Sequence, residues 1–412
     1  MTPPSLWSRL HEIGWLFFKL GVFGFGGPAA HIALMQEEFV EKRKWLDRQH
    51  FLDLMGATNL IPGPNSTQMT MHVGYERAGI PGLLVAGFSF ILPAAALTAL
   101  LAWMYVTYGS LPQVKPILDG MQPAILALIA ATLWKLAKTA VQSRLLAILG
   151  LLVMLVALTG LQAILALGAG TIFGGALLLF LRRDEEQEDS SGEEKGGKKG
   201  GGIAGGALWF FTQCREVQAS LLVWGSGGSA LPRLAPVASL AGIGWFFLKI
   251  GLVLYGSGYV LIAFLEQGLV HELKWLSSEQ LFHAVAMGQM TPGPVLTTAT
   301  AVGWLLKGWS GAVLATVAMF LPSFVLVALL NPIVPKLRRS RWMSAFLDSV
   351  NVSAVGLMAA VTLKLGWVAM GHWTSWVIGA LAVGLRIRFK LHAIWLIIGG
   401  GTLGYLAYLL FG

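Results

Sequence analysis

The chain has 412 residues, of which 56% are hydrophobic and 12% charged, and its mean hydropathy is +0.69. A soluble globular chain carries about one quarter charged residues, so this composition excludes a soluble enzyme or binding module and defines an integral membrane protein. The formal charge of +9 sits in short Lys/Arg clusters beside apolar spans, the positive-inside pattern, and gives no reason to expect a nucleic-acid partner.

In chain order, the first apolar segment contains "GWLFFKLG" (14–21) with Lys19, and is expected to belong to the mature fold rather than to a cleaved signal peptide. The glycine-rich stretch "GVFGFGGPAAH" (21–31) follows, with Gly26 and Gly27 ahead of Pro28, a residue suited to the first position of a helix. The next segment, Phe51–Tyr75, is interrupted by Pro62-Gly63-Pro64. Apolar stretches of membrane-crossing length then recur at Gly82–Trp103, Ile117–Leu133, Leu145–Leu181, Ala312–Leu330, Phe346–Leu363 and Leu391–Phe411. The alternating pattern of a membrane barrel is absent, so the fold class is an all-α polytopic membrane protein.

The sequence repeats. A shift of 230 aligns residues 14–21 with "GWFFLKIG" (244–251), Lys44-Trp45-Leu46 with Lys274-Trp275-Leu276, and Pro62-Gly63-Pro64 with Pro292-Gly293-Pro294. After a one-residue deletion the shift becomes 229 and pairs Pro93 with Pro322, Asp119 with Asp348, and Lys135 with Lys364. This predicts two homologous repeats, 1–182 and 240–412. Between them, 183–239 is expected to be a low-complexity cytoplasmic linker, opening on the charged, glycine-rich run 182–206, with an interfacial helix in its last part. The single cysteine, Cys214, lies there and excludes an intramolecular disulfide.

If Phe51–Tyr75 is a re-entrant hairpin, the first half has five crossings. Nine Lys/Arg residues, from Lys42 to Arg183, then lie on one side and only Arg9 and Lys115 on the other. The same scheme puts the rich face of the second half on the opposite face of the repeat. A single crossing over 51–75 spreads the charges almost evenly. The expectation is therefore two inverted repeats with broken, re-entrant helices and about ten crossings, the organisation of secondary transporters, whose substrate sites lie between the repeats near the midplane.

At "PGPNST" one half-helix should end at Pro62 and another start over Gly63 and Pro64, leaving the N–H groups and side chains of Asn65, Ser66 and Thr67 as a cup for an anion. The second copy keeps Thr297 but has Val295-Leu296 in place of Asn-Ser, so the first cup is the expected substrate site. The second glycine break, "GLVLYGSGYV" (251–260), has Ser257 where Gly27 stands. Lys19 and its equivalent Lys249 are placed to add positive charge, since a lysine in an apolar segment is costly unless it snorkels or faces a polar cavity. A coupling proton would need a titrating group, and His31, Glu38, His72, Asp119 and Asp348 all qualify without a choice among them. No haem, flavin, zinc-protease or paired-cysteine motif is present, so neither a cofactor nor a metal is expected; a membrane-embedded reductase and a passive anion channel are the rival readings.

These motifs, "FGFGGPAAHIALMQEEFV", "LIPGPNSTQ", "YGSGY" and "QMTPGPV", resemble those of the chromate ion transporter family in its long, two-domain form, over nearly the whole chain apart from the linker. The resemblance implies an inner-membrane protein that exports chromate, a tetrahedral dianion similar in shape to sulfate, using the proton motive force. Sulfate or another oxyanion is the alternative substrate, the lipid bilayer is the other partner, and a homodimer is left open.

Overall fold

The computed structural model describes residues 5–25, 27–59, 61–190, 238–255, 258–330, 341–389 and 391–411. Among them every regular element is helical. The first half contains α1 (Leu6–Phe23), α2 (Pro28–Gln36, running on into a π-helical turn Glu37–Lys42), α3 (Arg48–Thr58), α4 (Asn65–Tyr108), α5 (Lys115–Ala140), α6 (Arg144–Leu158) and α7 (Ala163–Ser190). The second contains α8 (Leu240–Val253), α9 (Val260–Leu265, with the π turn Glu266–Glu272) and α10 (Ser278–Met290). A 3-10 turn (Val295–Thr297), α11 (Thr298–Leu330), α12 (Arg341–Ala369), α13 (Trp373–Phe389) and α14 (Ala393–Phe411) complete it.

Two compact units are present, Met1–Leu179 with Val237–Gly412, and Phe180–Pro236. Of the second only the end of α7 is described. There the helix continues to Ser190, into the run expected to be unstructured, because Arg, Glu and Gln at 182–188 are good helix formers. Cys214, the expected interfacial helix and most of the 183–239 linker lie outside the described residues.

Helix starts follow local chemistry. Asp47 accepts a hydrogen bond from the His50 amide at the head of α3 (2.8 Å), and Ser277 with Gln280 forms a reciprocal capping box at the head of α10. Among the described residues five helices are long and apolar enough to cross a membrane: Asn65–Tyr108, Lys115–Ala140, Val295–Leu329, Ala345–Ala369 and Ala393–Phe411. Their outward faces carry exposed large apolar side chains such as Phe88, Leu92, Trp367 and Leu410, an arrangement suited to lipid and not to water.

The 44 residues of α4 amount to roughly 66 Å of helix, twice the hydrocarbon thickness of a bilayer. The chain resolves this with a kink at Ala78 (φ −149°) and Gly79 (φ 62°). An equivalent kink interrupts α11 at Lys307 (φ −147°) and Gly308 (φ 57°). Another backbone feature recurs at the shift of 230: Lys44 and Lys274 both have φ 53°, each just beyond a π turn.

The halves interlock. The kinked helices α4 and α11 pack on each other through Phe88 and Phe324, whose rings lie 5.0 Å apart. Helix α5 packs on α13 and α14 of the second half, and α12 packs on α6 of the first. Glycines make those crossings close: a Cβ at Gly120 would stand 2.4 Å from the Gly400 carbonyl, and one at Gly356 2.3 Å from that of Gly150.

Candidate functional site

Four helix breaks meet across the two halves. In the first half α1 ends at Phe23, and the Gly24 amide closes it by donating to the Leu20 carbonyl (2.8 Å). Gly27, with φ 77°, caps α2, and Pro28 is the first helical residue, as expected of the sequence. The Ala30 and His31 amides both donate to the Gly27 carbonyl at 3.1 Å. The imidazole of His31 is buried against Phe90, with Nε2 2.8 Å from the Gly24 carbonyl oxygen. His31 therefore ties the two ends of the glycine break together. Gly26 and Ser257, assigned to the breaks from sequence, lie outside the described residues.

The Pro-Gly-Pro loops each bond to the glycine break of the other half. The Gly63 amide donates to the Leu254 carbonyl (2.6 Å) and the Gly293 amide to the Gly24 carbonyl (3.0 Å). Residues 254 and 24 stand at the shift of 230, as do 293 and 63, so each half supplies the acceptor for the other. A further link joins the Thr98 hydroxyl to that of Thr291 at 3.2 Å.

The first break is wider than the sequence suggested. Thr58 ends α3, and Pro64, with φ −79° and ψ 110°, is the cap of α4 rather than its first residue. Asn65, Ser66 and Thr67 do form the first turn. The Asn65 side-chain Nδ2 donates to Asn59 Oδ1 (2.7 Å) at an exposed position, Ser66 and Thr67 are buried, and Gln68 folds its side-chain amide back onto the Pro62 carbonyl (2.7 Å). The second break opens with a 3-10 turn, where Thr297 donates its hydroxyl to the Pro294 carbonyl at 2.9 Å.

A small cavity lies where Gly24, Phe25 and Gly27 of the first half face Gln289, Thr291 and Gly293 of the second. Tyr259, Arg386 and His392 complete its polar lining, and among the described residues no carboxylate lines it. Gln289 is 92% buried by its 8% exposure; its Oε1 accepts the Tyr259 hydroxyl at 3.2 Å, while its Nε2 has no hydrogen-bond partner. Arg386, in the last turn of α13, donates to the Leu391 carbonyl and is half-buried. Sequence reasoning missed Gln289, Tyr259 and Arg386. The first two lie inside quoted motifs, and Arg386 belongs to none.

Other candidates lie elsewhere. Lys19 is exposed, its ammonium 5.9 Å from the ring of Trp15, which corrects the expectation that it lines the central site: at its position on α1 the outward face is taken by Trp15, Phe18 and Lys19, while Ile13, Leu16 and Phe17 face the core. Lys249 lines a smaller, separate cavity with Gln162, Gln267 and Glu272. Burial pushes the Glu272 carboxyl above its ordinary value, with Lys249 opposing the shift. Glu38 is paired with Arg43 (2.8 Å) and Lys42 (3.7 Å). His72 is buried within α4, Asp119 is exposed and Asp348 half-buried. The structure brings none of these four to the cavity.

Long apolar helices around paired breaks, with a cationic cavity between them, define a multi-pass membrane protein with an internal polar site. The chain belongs to the chromate transporter family, whose sequence profile matches it twice, over residues 11–176 and 241–405. It is 29% identical over 382 residues to a probable chromate transport protein of Synechococcus elongatus, covering 91% of this chain and 89% of that one. It is 28% identical over 407 residues to a chromate transport protein of Cupriavidus metallidurans (97% and 93% covered) and 26% identical over 418 residues to one of Pseudomonas aeruginosa (99% and 93%). No solved structure matches.

Proposed function

We propose that this protein is a secondary transporter that exports chromate across the inner membrane, driven by the proton motive force, and is not an enzyme. The observation that carries the reading is the reciprocal bonding of Gly63 to Leu254 and Gly293 to Gly24, set in a family whose relatives are named for chromate transport. Exchanged bonds of this kind suit two halves that rock about a shared centre while the unwound backbone between them holds the substrate.

In this reading the repeats 1–182 and 240–412 are inverted and contribute about five crossings each, with the linker in the cytoplasm. Segment lengths support the re-entrant hairpin. Helix α3 has 11 residues, roughly 16 Å, and the part of α4 before Gly79 spans roughly 20 Å, both short of the ~30 Å hydrocarbon core.

The test is transport in inverted vesicles supplied with chromate or sulfate, with and without an imposed pH gradient. Gradient-dependent chromate accumulation is the expected result. Sulfate movement alone would reassign the substrate, and conductance indifferent to pH would make the protein a channel.

A further inference from the structure

We infer that Gln289 Nε2 and the Arg386 guanidinium form a single, asymmetric oxyanion site in the cavity lined by Gly24, Phe25 and Gly27 and by the second Pro-Gly-Pro loop, the second half supplying the polar side chains. The inference rests on the reading of the chain as an oxyanion transporter, and places the anion at the second break, away from Asn65–Thr67.

An amide nitrogen can only donate. With Oε1 engaged by Tyr259, the Gln289 NH2 group is fixed as a donor, buried, beside a cavity and without an acceptor. A buried donor of this kind calls for an acceptor, and a cation would not serve. Arg386 brings planar, permanently charged donors to the same cavity, and among the described residues no carboxylate lines it to compete for them. Tyr259 does two things at once: it orients the amide, and its hydroxyl stands 4.0 Å from where a side chain at Gly27 would begin, close to the head of α2.

The corresponding place in the other half keeps a carboxamide but has neither the tyrosine nor the arginine. At the repeat shifts Gln289 corresponds to Asn59, Tyr259 to Ala29 and Arg386 to Ala157. Asn59 Oδ1 accepts from the Asn65 side chain at an exposed position, and Gln68 donates to the Pro62 carbonyl. With no cation beside it among the described residues, the pseudo-symmetric carboxamide has no charged partner for an anion, and one anion per chain follows.

Equilibrium dialysis of the purified full-length protein against chromate, read by its absorbance, and against labelled sulfate tests this. The expected result is one anion bound per chain, weakened about tenfold or more by Gln289→Met and by Arg386→Ala, with Arg386→Lys recovering part of the loss. If Gln289→Met does not yield a monodisperse protein, Gln289→Glu keeps the volume, removes the donor and is expected to weaken binding likewise. Wild-type affinity in the Gln289 and Arg386 variants, two anions per chain, or no binding of either anion overturns the site. Sulfate binding alone, lost in the same variants, keeps the site and overturns the chromate reading.

Discussion

The amide of Gly293 donates to the carbonyl of Gly24 at 3.0 Å, joining the second Pro-Gly-Pro loop to the first half's glycine break. Gly293 has φ 88°, and a Cβ there would stand 2.9 Å from that of Ala94. Gly293→Ala therefore adds left-handed strain to an overpacked contact, for a loss of at least about 2 kcal/mol. The melting temperature of the purified protein is expected to fall, and a second substitution, Ala94→Gly, to recover the steric part only.

The hydroxyls of Thr98 and Thr291 meet at 3.2 Å across the two halves. Cysteines at both positions, in a Cys214→Ser background, put two thiols where these hydroxyls meet. Oxidation is expected to cross-link the chain and stop chromate movement in vesicles, and reductant to restore it. Full transport by the cross-linked protein would show that the halves need not move at this contact.

Lys19 points outward over Trp15, so its charge is held at the surface of the bundle. Lys19→Ala is expected to leave chromate resistance of the host cell near that of the wild-type chain, whereas Arg386→Ala is expected to remove it. Loss of resistance in the Lys19 variant at unchanged protein level would return that lysine to the transport path.

Glu272 lies beside the smaller cavity, and burial raises its carboxyl affinity for protons. A raised folded-state value means that the folded state gains from protonation: its contribution is complete below the unfolded carboxylate range and is lost as pH rises through the folded value. Glu272→Gln is therefore expected to stabilise the protein at neutral pH, by less than about 1 kcal/mol because the group is half-exposed and screened. The difference in melting temperature between the two proteins should shrink as pH is lowered through the carboxylate range, and a constant difference would assign the effect to packing.

By itself the sequence determined the class, the duplication and the positions of the breaks. Apolar length, the shift of 230 and the inability of proline to donate a backbone hydrogen bond are local properties, and Gly27-Pro28 and the two Pro-Gly-Pro loops occur where those properties place them. Tertiary structure decided how each break is surrounded. Counted along the chain, Asn65, Ser66 and Thr67 are the richer set of donors. Which donors are engaged depends on neighbours brought in by folding: the Asn65 side chain bonds Asn59, and Gln68 turns onto the Pro62 carbonyl. At the second loop Tyr259 fixes Gln289, 30 positions away, with Arg386 nearly 100 further on, and that separation has no signature in a local motif.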